Sequence, residues 1–225
     1  MSQPFFLKKP KFVLFDLDGT LADSAPDLAA AINAVRMERG LPAVPYEQLR
    51  GVASAGAPGL VNAAFHLVPQ NVQYPSIRER FLTFYASAIA DRTTLFAGIR
   101  ELLIQLRQTG IGWGIVTNKA AKLTRPLVEK IGLEKADCVI SGDTAARPKP
   151  HPDPLLYAAR QLGIRPEESW FVGDDLRDIQ AGKAAGTGTI AAKWGYCTDP
   201  SHWKADYIAE KPEQIMELIR LAREN

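Results

Sequence analysis

The sequence predicts an α/β protein: a doubly wound parallel sheet that helices cover on both faces and that a helical insertion interrupts. Two observations lead to this prediction. From Phe96 onward, short apolar runs alternate with amphipathic stretches of about 10 to 15 residues, which is the pattern of βαβ units. Residues 44–95, by contrast, carry their apolar side chains at helical spacing, as in LVNAAFHLV and IRERFLTFYASAIA.

The predicted elements follow in order along the chain. A buried strand at 12–16 precedes a helix in which Ser24 and Asp27 have capping-box spacing, and GLP at 40–42 ends that helix. After the helical section come four helix–strand units, whose strands are GWGIVTN, DCVISG, SWFVGDD and TGTIAAK. A last helix is predicted to begin at Pro212, because proline suits the first turn.

Composition and charge limit the classes of partner. The 225 residues are 46% hydrophobic and 23% charged, which permits a core and excludes general disorder. The 27 lysines and arginines nearly balance 25 aspartates and glutamates, so no net field favours nucleic acid or an anionic membrane. No segment approaches 18 uninterrupted apolar residues, and the first eleven residues lack a signal-peptide core. We therefore expect a cytoplasmic monomer or homodimer that acts on a small molecule.

Several motifs for other chemistry are missing. Cys138 and Cys197 have neither CxxC spacing nor a neighbouring histidine in a metal-ligand pattern, so we interpret both as packed thiols. The sequence has no GxxxxGK[ST] loop, and GTGTIA at 186–191 leads into a strand where a dinucleotide fingerprint would lead into a helix. A nucleotide site of either kind is not expected.

Acidic residues follow two of the predicted strands, at the sheet edge where open α/β folds bind ligands. Asp16 and Asp18 end the first strand, where residues two positions apart face the same way until Gly19 lets the chain turn. Asp174 and Asp175 follow SWFVG. Crowded carboxylates raise at least one pKa or require a cation, and oxygen ligands without cysteine or histidine suit a hard ion. The sequence therefore predicts a Mg2+ site.

Groups that can bind an anion lie near the same edge. Thr117 and Asn118 follow GWGIV, and Lys149 stands between prolines after the strand DCVIS. Each residue alone has a simpler explanation: Asp174, Thr117 or Asn118 can cap a helix, and a loop lysine is usually solvated. Their coincidence at several strand ends instead favours an anion cradle beside a metal ion, which indicates phosphoryl transfer.

At these residues the sequence resembles the haloacid dehalogenase superfamily of phosphohydrolases. DLDGTLADS is similar to its first motif, Thr117 to the second, Lys149 to the third and GDDLRD at 173–178 to the fourth, in the family's order. The resemblance implies a Rossmann-like catalytic core formed by residues 1–20 and 96–225, with a helical cap domain at 21–95.

The resemblance also implies residue roles. Asp16 would be the nucleophile that forms an aspartyl-phosphate, and Asp18 the general acid and base. Mg2+ would bind Asp16, the backbone carbonyl of Asp18, and Asp174, while Asp175 or Asp178 would hold metal-bound water or Lys149. The residues expected to bind phosphate or substrate are Gly19, Thr117, Asn118, Lys149 and Arg50.

Within the superfamily, FVGDDLRDIQAGKAAG and KPHPDPLL look most like bacterial phosphoglycolate phosphatases, whereas RMERGLP and HWKAD look like N-acetylmuramic acid 6-phosphate phosphatases. The two groups share their catalytic motifs, so substrate choice would depend on the cap loop at 49–59, in which Arg50 could pair with a carboxylate. We expect 2-phosphoglycolate as substrate, with N-acetylmuramic acid 6-phosphate as the alternative.

Two other activities compete with a phosphatase. A phosphomutase of the same superfamily would need an activating bisphosphate and would protect its aspartyl-phosphate from water. A receiver domain, which is a phosphoacceptor switch, would be about 120 residues long and would carry its acceptor on a later strand. Here the paired aspartates end the first strand, and a helical insertion follows them.

Overall fold

The computed structural model describes residues 7–196 and 199–222, and within them a six-stranded parallel sheet lies at the centre. Two short strands among the described residues also form a small antiparallel sheet. The strands are Phe12–Phe15 (β1), Ala22–Asp23 (β2), Thr94–Leu95 (β3), Gly112–Val116 (β4), Val139–Ile140 (β5), Ser169–Gly173 (β6), Gly188–Ala192 (β7) and Tyr207–Ala209 (β8). The large sheet has the order β5-β4-β1-β6-β7-β8, which confirms the predicted α/β class.

The described residues form two groups of α-helices. Four lie between β2 and β3: Ala25–Glu38 (α1), Tyr46–Arg50 (α2), Gly56–Phe65 (α3) and Tyr74–Ser87 (α4). The others alternate with the strands of the sheet: Ile99–Gln108 (α5), Ala121–Lys130 (α6), Asp153–Leu162 (α7), Leu176–Ala185 (α8) and Gln214–Leu221 (α9).

Helices cover both faces of the sheet. Val13 and Phe15 of β1 belong to the apolar cluster that includes buried residues of α5, α6 and α9. Leu14, between them, belongs to the cluster that includes α7 and α8. Because successive side chains of a strand point to opposite faces, this division shows that β1 is buried on both sides.

The strand register brings the functional ends together. Phe15 of β1 lies beside Ile115 of β4 on one side and beside Val172 of β6 on the other. All three strands run in the same direction, so their carboxyl ends meet at one edge. The residues that follow these strands therefore share a single concavity.

The helical section at 44–95 is confirmed except at its end, where β3 pairs with β2. Ala22 lies opposite Leu95, so the two chain segments that connect the inserted helices to the sheet run side by side. Helices α1 and α4 pack closely, and Phe81 and Tyr85 of α4 are buried in the same apolar cluster as Ile32 of α1. The domain boundaries at 20/21 and 95/96 stay a prediction.

Two local predictions were wrong, and one strand was missed. Ser24 and Asp27 form no capping box: the Ser24 hydroxyl donates to Asp18, and Asp27 accepts the main-chain N–H groups of Arg92 and Thr93. Tertiary hydrogen bonds have replaced local ones at both residues. The last helix begins at Gln214, two residues later than expected, and β8 was not predicted at all.

The sequence analysis interpreted both cysteines as packed thiols. Cys138 is buried, and burial raises the pKa of its thiol to about 12, which agrees with a packed residue. Cys197 lies outside the described residues.

In the described part of the chain, no helix is long and apolar enough to cross a bilayer.

Candidate active site

The main chain fixes Asp16 and Thr117 at the ends of their strands. The Asp16 N–H donates to the Val172 carbonyl at 2.9 Å, and the Thr117 N–H donates to the Ile140 carbonyl at 2.9 Å. Both side chains line one cavity of about 360 Å³ between the sheet edge and the inserted helices. The structure therefore brings the first and second predicted motifs to the same site.

Three buried carboxylates form a cluster at this edge. One oxygen from each of Asp16, Asp174 and Asp178 lies within 4.8 Å of the other two. Burial, followed by the charges of Asp16 and Asp178, raises the pKa of Asp174 to about 8. Oxygen ligands at this spacing fit a hard divalent cation.

Lys149 joins two of these carboxylates. Its Nζ lies 2.7 Å from Asp16 Oδ1 and 2.6 Å from Asp178 Oδ1, and it also donates to the Val116 carbonyl at 2.9 Å. Burial alone would lower the pKa of Lys149, but the two aspartates outweigh burial and raise it. The ammonium group is therefore held charged beside Asp16.

Asn118 positions the lysine loop. Its side-chain amide donates to the Lys149 carbonyl at 2.9 Å and accepts the Lys149 N–H at 2.9 Å. The Oδ1 and one of the two N–H donors are thus engaged, and Asn118 also lines the cavity, so its predicted contact with phosphate stays a prediction. The hydroxyl of neighbouring Thr117 accepts the Lys119 N–H at 3.2 Å and lines the cavity, where it can still donate.

Gly19 has a packing role. Its φ of +87° favours glycine, and a Cβ at this position would lie 2.1 Å from Asp174 Oδ2. Its N–H donates to the Ala22 carbonyl at 2.9 Å and is not available to a ligand. This glycine therefore allows Asp174 to approach the turn after β1, and phosphate binding by Gly19 stays a prediction.

Asp18 is held by residues that the sequence analysis did not assign to the site. The Ser24 hydroxyl donates to Asp18 Oδ1, and Lys119 Nζ lies 3.1 Å from Asp18 Oδ2. Lys119 also donates to the Tyr85 hydroxyl of α4 at 3.0 Å. Burial opposes the charge on Lys119, but Asp18 more than compensates and raises the pKa of this lysine. Its position two residues after Thr117 was the only signal in the sequence.

Asp175 and Asp178 have different partners. Asp175 caps α8 by accepting the Arg177 N–H at 2.9 Å, and its carboxylate pairs with the Arg177 guanidinium at 2.7 Å. Burial opposes this charge, but Arg177 holds the pKa of Asp175 below its usual value. Asp178 instead faces Lys149 and the carboxylate cluster. Of the two candidates, the geometry selects Asp178 for contact with Lys149.

The inserted segment contacts the cluster through Ser54. The Ser54 hydroxyl donates to Asp174 Oδ2 at 2.7 Å, and Arg177 donates to the Ser54 carbonyl at 2.6 Å. Neither residue was among the predicted site residues. Nothing in a single serine of a small-residue loop indicates such a contact, because it depends on how the inserted helices fold back over the sheet.

Arg50 does not take part in this site. Its guanidinium pairs with Asp23 at 2.9 Å and lies 4.7 Å from the centre of the Tyr196 ring. It is absent from the cavity wall, which is formed in this region by residues 53–58. The small-residue loop does face the cavity, whereas the pairing of Arg50 with a substrate carboxylate stays a prediction.

The parallel sheet, the inserted helices and the aspartate–lysine cluster at the carboxyl edge are features of one class of hydrolase. A family model described as "haloacid dehalogenase-like hydrolase" matches residues 13–192. The chain belongs to this family.

Relatives with curated names fall into two groups. An N-acetylmuramic acid 6-phosphate phosphatase from Pseudomonas aeruginosa is 41% identical over 213 residues, which cover 93% of this chain and 94% of the relative. A phosphoglycolate phosphatase from Xanthomonas campestris is 43% identical over 215 residues, which cover 94% and 97%. Overall similarity therefore does not separate the two groups.

Solved structures share the fold over nearly the whole chain. The crystal structure of a predicted phosphoglycolate phosphatase from Haemophilus somnus superposes with a TM-score of 0.83 at 27% identity, covering 94% of this chain and 98% of the other. A haloacid dehalogenase-superfamily hydrolase of subfamily IA from Geobacter sulfurreducens gives 0.74 at 25% identity, with coverage of 94% and 97%.

Proposed function

We propose that the protein is a Mg2+-dependent phosphomonoesterase that acts through an aspartyl-phosphate on Asp16. The observation that carries this proposal is the position of Asp16, which lies within the carboxylate cluster and 2.7 Å from the Lys149 ammonium. A carboxylate attacks a phosphate dianion slowly unless cations offset their repulsion. This site supplies one buried cation and the ligands for another.

The donor set fits the implied ion. Asp16 and Asp174 would hold Mg2+, with the main-chain carbonyl of Asp18 as the further ligand that the family resemblance implies, while Asp178 holds Lys149. When bound, Mg2+ would offset the charge of the carboxylates and of the phosphate oxygens.

Asp16 and Asp18 account for the two chemical steps, which are formation of the aspartyl-phosphate and its hydrolysis. An Asp16 oxygen forms a bond to phosphorus as the bond to the leaving oxygen breaks, and Asp18 gives that oxygen its proton. A water then bonds to phosphorus and loses its proton to Asp18, so inorganic phosphate leaves and the Asp16 carboxylate returns. Ser24 and Lys119 orient Asp18, and Lys149 stays charged beside Asp16 throughout.

The substrate is a small phosphomonoester, and the first candidate is 2-phosphoglycolate, as the sequence motifs and the Xanthomonas relative suggest. The second is N-acetylmuramic acid 6-phosphate, which the Pseudomonas relative supports. The cavity of about 360 Å³ falls within the size range of small-molecule sites and suits either candidate.

Release of inorganic phosphate from a panel of both candidates, sugar phosphates, nucleotides and p-nitrophenyl phosphate tests the proposal. We expect Asp16→Asn to lower turnover by a factor on the order of 10³ or more, since it removes the nucleophile. Asp91→Asn, a change of the same kind on the exposed surface, should leave turnover unchanged. Asp16→Asn activity within tenfold of wild type would refute the mechanism.

A further inference from the structure

Helix α4 presents one side to the active-site cavity. Arg78, Phe81, Leu82 and Tyr85 all line the cavity, and their spacing of three and four positions places them in a row along the helix. At one end of the row, the Tyr85 hydroxyl accepts a hydrogen bond from Lys119, which pairs with Asp18. The row therefore runs outward from the reaction centre.

Four cationic side chains line the cavity, and three of them have partners. Among these four, Arg78 is the one whose side chain has neither a salt bridge nor a hydrogen bond to any described residue. The partnered cations are Lys149, with Asp16 and Asp178; Lys119, with Asp18; and Arg177, with Asp175. Arg78 thus keeps its full hydrogen-bonding capacity for a ligand.

Arg78 lies at the outer end of the row. It precedes Tyr85 by seven positions, so the two Cα atoms are about 10 Å apart along the helix axis. Tyr85 is 1% exposed, whereas Arg78 is exposed to solvent. Phe81 and Leu82 provide apolar surface between them. An anion bound at Arg78 would therefore lie at the outer end of the row, with Phe81 and Leu82 between it and Tyr85.

We propose that Arg78 is a specificity residue that binds a carboxylate carried by the leaving group at a distance from phosphorus. This inference rests on the phosphatase activity proposed above and identifies its substrate class as phosphorylated sugar acids. An arginine guanidinium matches a carboxylate with two parallel hydrogen bonds, which an ammonium group does not. The apolar side chains of Phe81 and Leu82 would contact the sugar ring.

The two candidate substrates differ in the feature that this arrangement selects. In N-acetylmuramic acid 6-phosphate the sugar ring separates the lactyl carboxylate from the phosphate. In 2-phosphoglycolate a single methylene carries both the phosphate oxygen and the carboxylate, which leaves no spacer to lie along Phe81 and Leu82. Arg78 therefore favours the sugar acid.

The test compares kcat/KM for three esters: N-acetylmuramic acid 6-phosphate, N-acetylglucosamine 6-phosphate, which lacks only the lactyl group, and 2-phosphoglycolate. We expect wild type to prefer the first over the second by a factor on the order of 10 to 100, the usual effect of a hydrogen bond between charged groups. Arg78→Gln should remove that preference, because it should lower kcat/KM for N-acetylmuramic acid 6-phosphate by about tenfold or more beyond any loss with N-acetylglucosamine 6-phosphate. Arg78→Lys should restore part of the preference.

Arg80→Gln is the matched control, because Arg80 lies on the same helix, pairs with Glu38 and does not line the cavity. If Arg78→Gln kept the wild-type preference for N-acetylmuramic acid 6-phosphate, the inference would be overturned. It would also be overturned if 2-phosphoglycolate were the best substrate and Arg78→Gln did not change its kcat/KM. In both cases phosphatase activity would survive. Failure of the proposed phosphatase function would give a different result: wild type would be inactive on every ester, or Asp16→Asn would be fully active.

Discussion

Lys149 Nζ lies 2.7 Å from Asp16 Oδ1 although 133 positions separate the two residues in the chain. The same ammonium lies 2.6 Å from Asp178 Oδ1, so one cation is shared by two buried carboxylates. Asn118 fixes the main chain of Lys149 through two hydrogen bonds. Charge compensation at Asp16 therefore depends on a loop that is itself held in place.

Lys149→Ala should lower turnover of p-nitrophenyl phosphate by about 100-fold or more, because it removes the fixed positive charge beside the attacking carboxylate. It should also lower stability, since removing one partner of a buried pair typically costs about 3–5 kcal/mol. Lys183→Ala, on the exposed side of α8, is the control. Steady-state kinetics and thermal unfolding check both effects, and turnover within tenfold of wild type would contradict the role of Lys149.

Much of the fold could be predicted because its signals are local. The apolar strands, the helical periodicity of residues 44–95 and the polar residues after β1, β4 and β6 are all visible in short windows. The site residues Asp16, Asp174 and Lys149 came from the rule that parallel strands end at one edge. Register and strand order then brought them within contact distance.

The missed features are contacts between distant segments. Ser54 reaches Asp174 only after the inserted helices fold over the sheet, whereas Lys119 follows β4 and reaches Asp18 from the neighbouring strand β1. Gly19 was predicted to bind phosphate, and the constraint that the structure shows at this glycine is the close approach of Asp174. Arg50 was chosen for its place in the loop sequence, and the structure pairs it with Asp23 at 2.9 Å.

The pH dependence of stability should reveal the buried Asp174. Burial raises the pKa of this group to about 8 in the folded protein, from 3.8, so the folded state binds the proton more tightly than the unfolded chain does. Its contribution to the free energy of unfolding is therefore full below about pH 4 and is lost as the pH rises through about 8. Without metal, the Tm of wild type should fall over this pH range, and the Tm of Asp174→Asn should fall less.

Mg2+ should reverse that loss, because the ion binds the ionised carboxylates. We expect the rise in Tm on adding Mg2+ to be larger at pH 8.5 than at pH 6, and to be strongly reduced in Asp174→Asn. EDTA should abolish phosphate release, and Mg2+ should restore it. Full activity after chelation, or an equal Mg2+ effect on Asp174→Asn, would rule out the ion at this cluster.

Lys119 should act through Asp18. Lys119→Met removes the ion pair at 3.1 Å, whereas Tyr85→Phe removes only the hydroxyl behind it. Because p-nitrophenolate leaves without protonation, a misplaced acid should slow an alkyl phosphate more than p-nitrophenyl phosphate. We expect a loss of about tenfold or more with the alkyl ester for Lys119→Met and a smaller loss for Tyr85→Phe. Equal losses with both esters would indicate a general structural effect.

Arg177 should hold the loop at 53–58 against the sheet. Its guanidinium donates to the Ser54 carbonyl at 2.6 Å, while the Ser54 hydroxyl donates to Asp174 at 2.7 Å. Arg177→Ala should raise amide hydrogen exchange across 53–58 by about tenfold or more, because it removes a charge-assisted hydrogen bond. Ser54→Ala keeps the bond from Arg177 and should raise exchange less, and Lys183→Ala should not raise it. If exchange in Arg177→Ala matched wild type, packing of α3 and α4 alone would hold the loop.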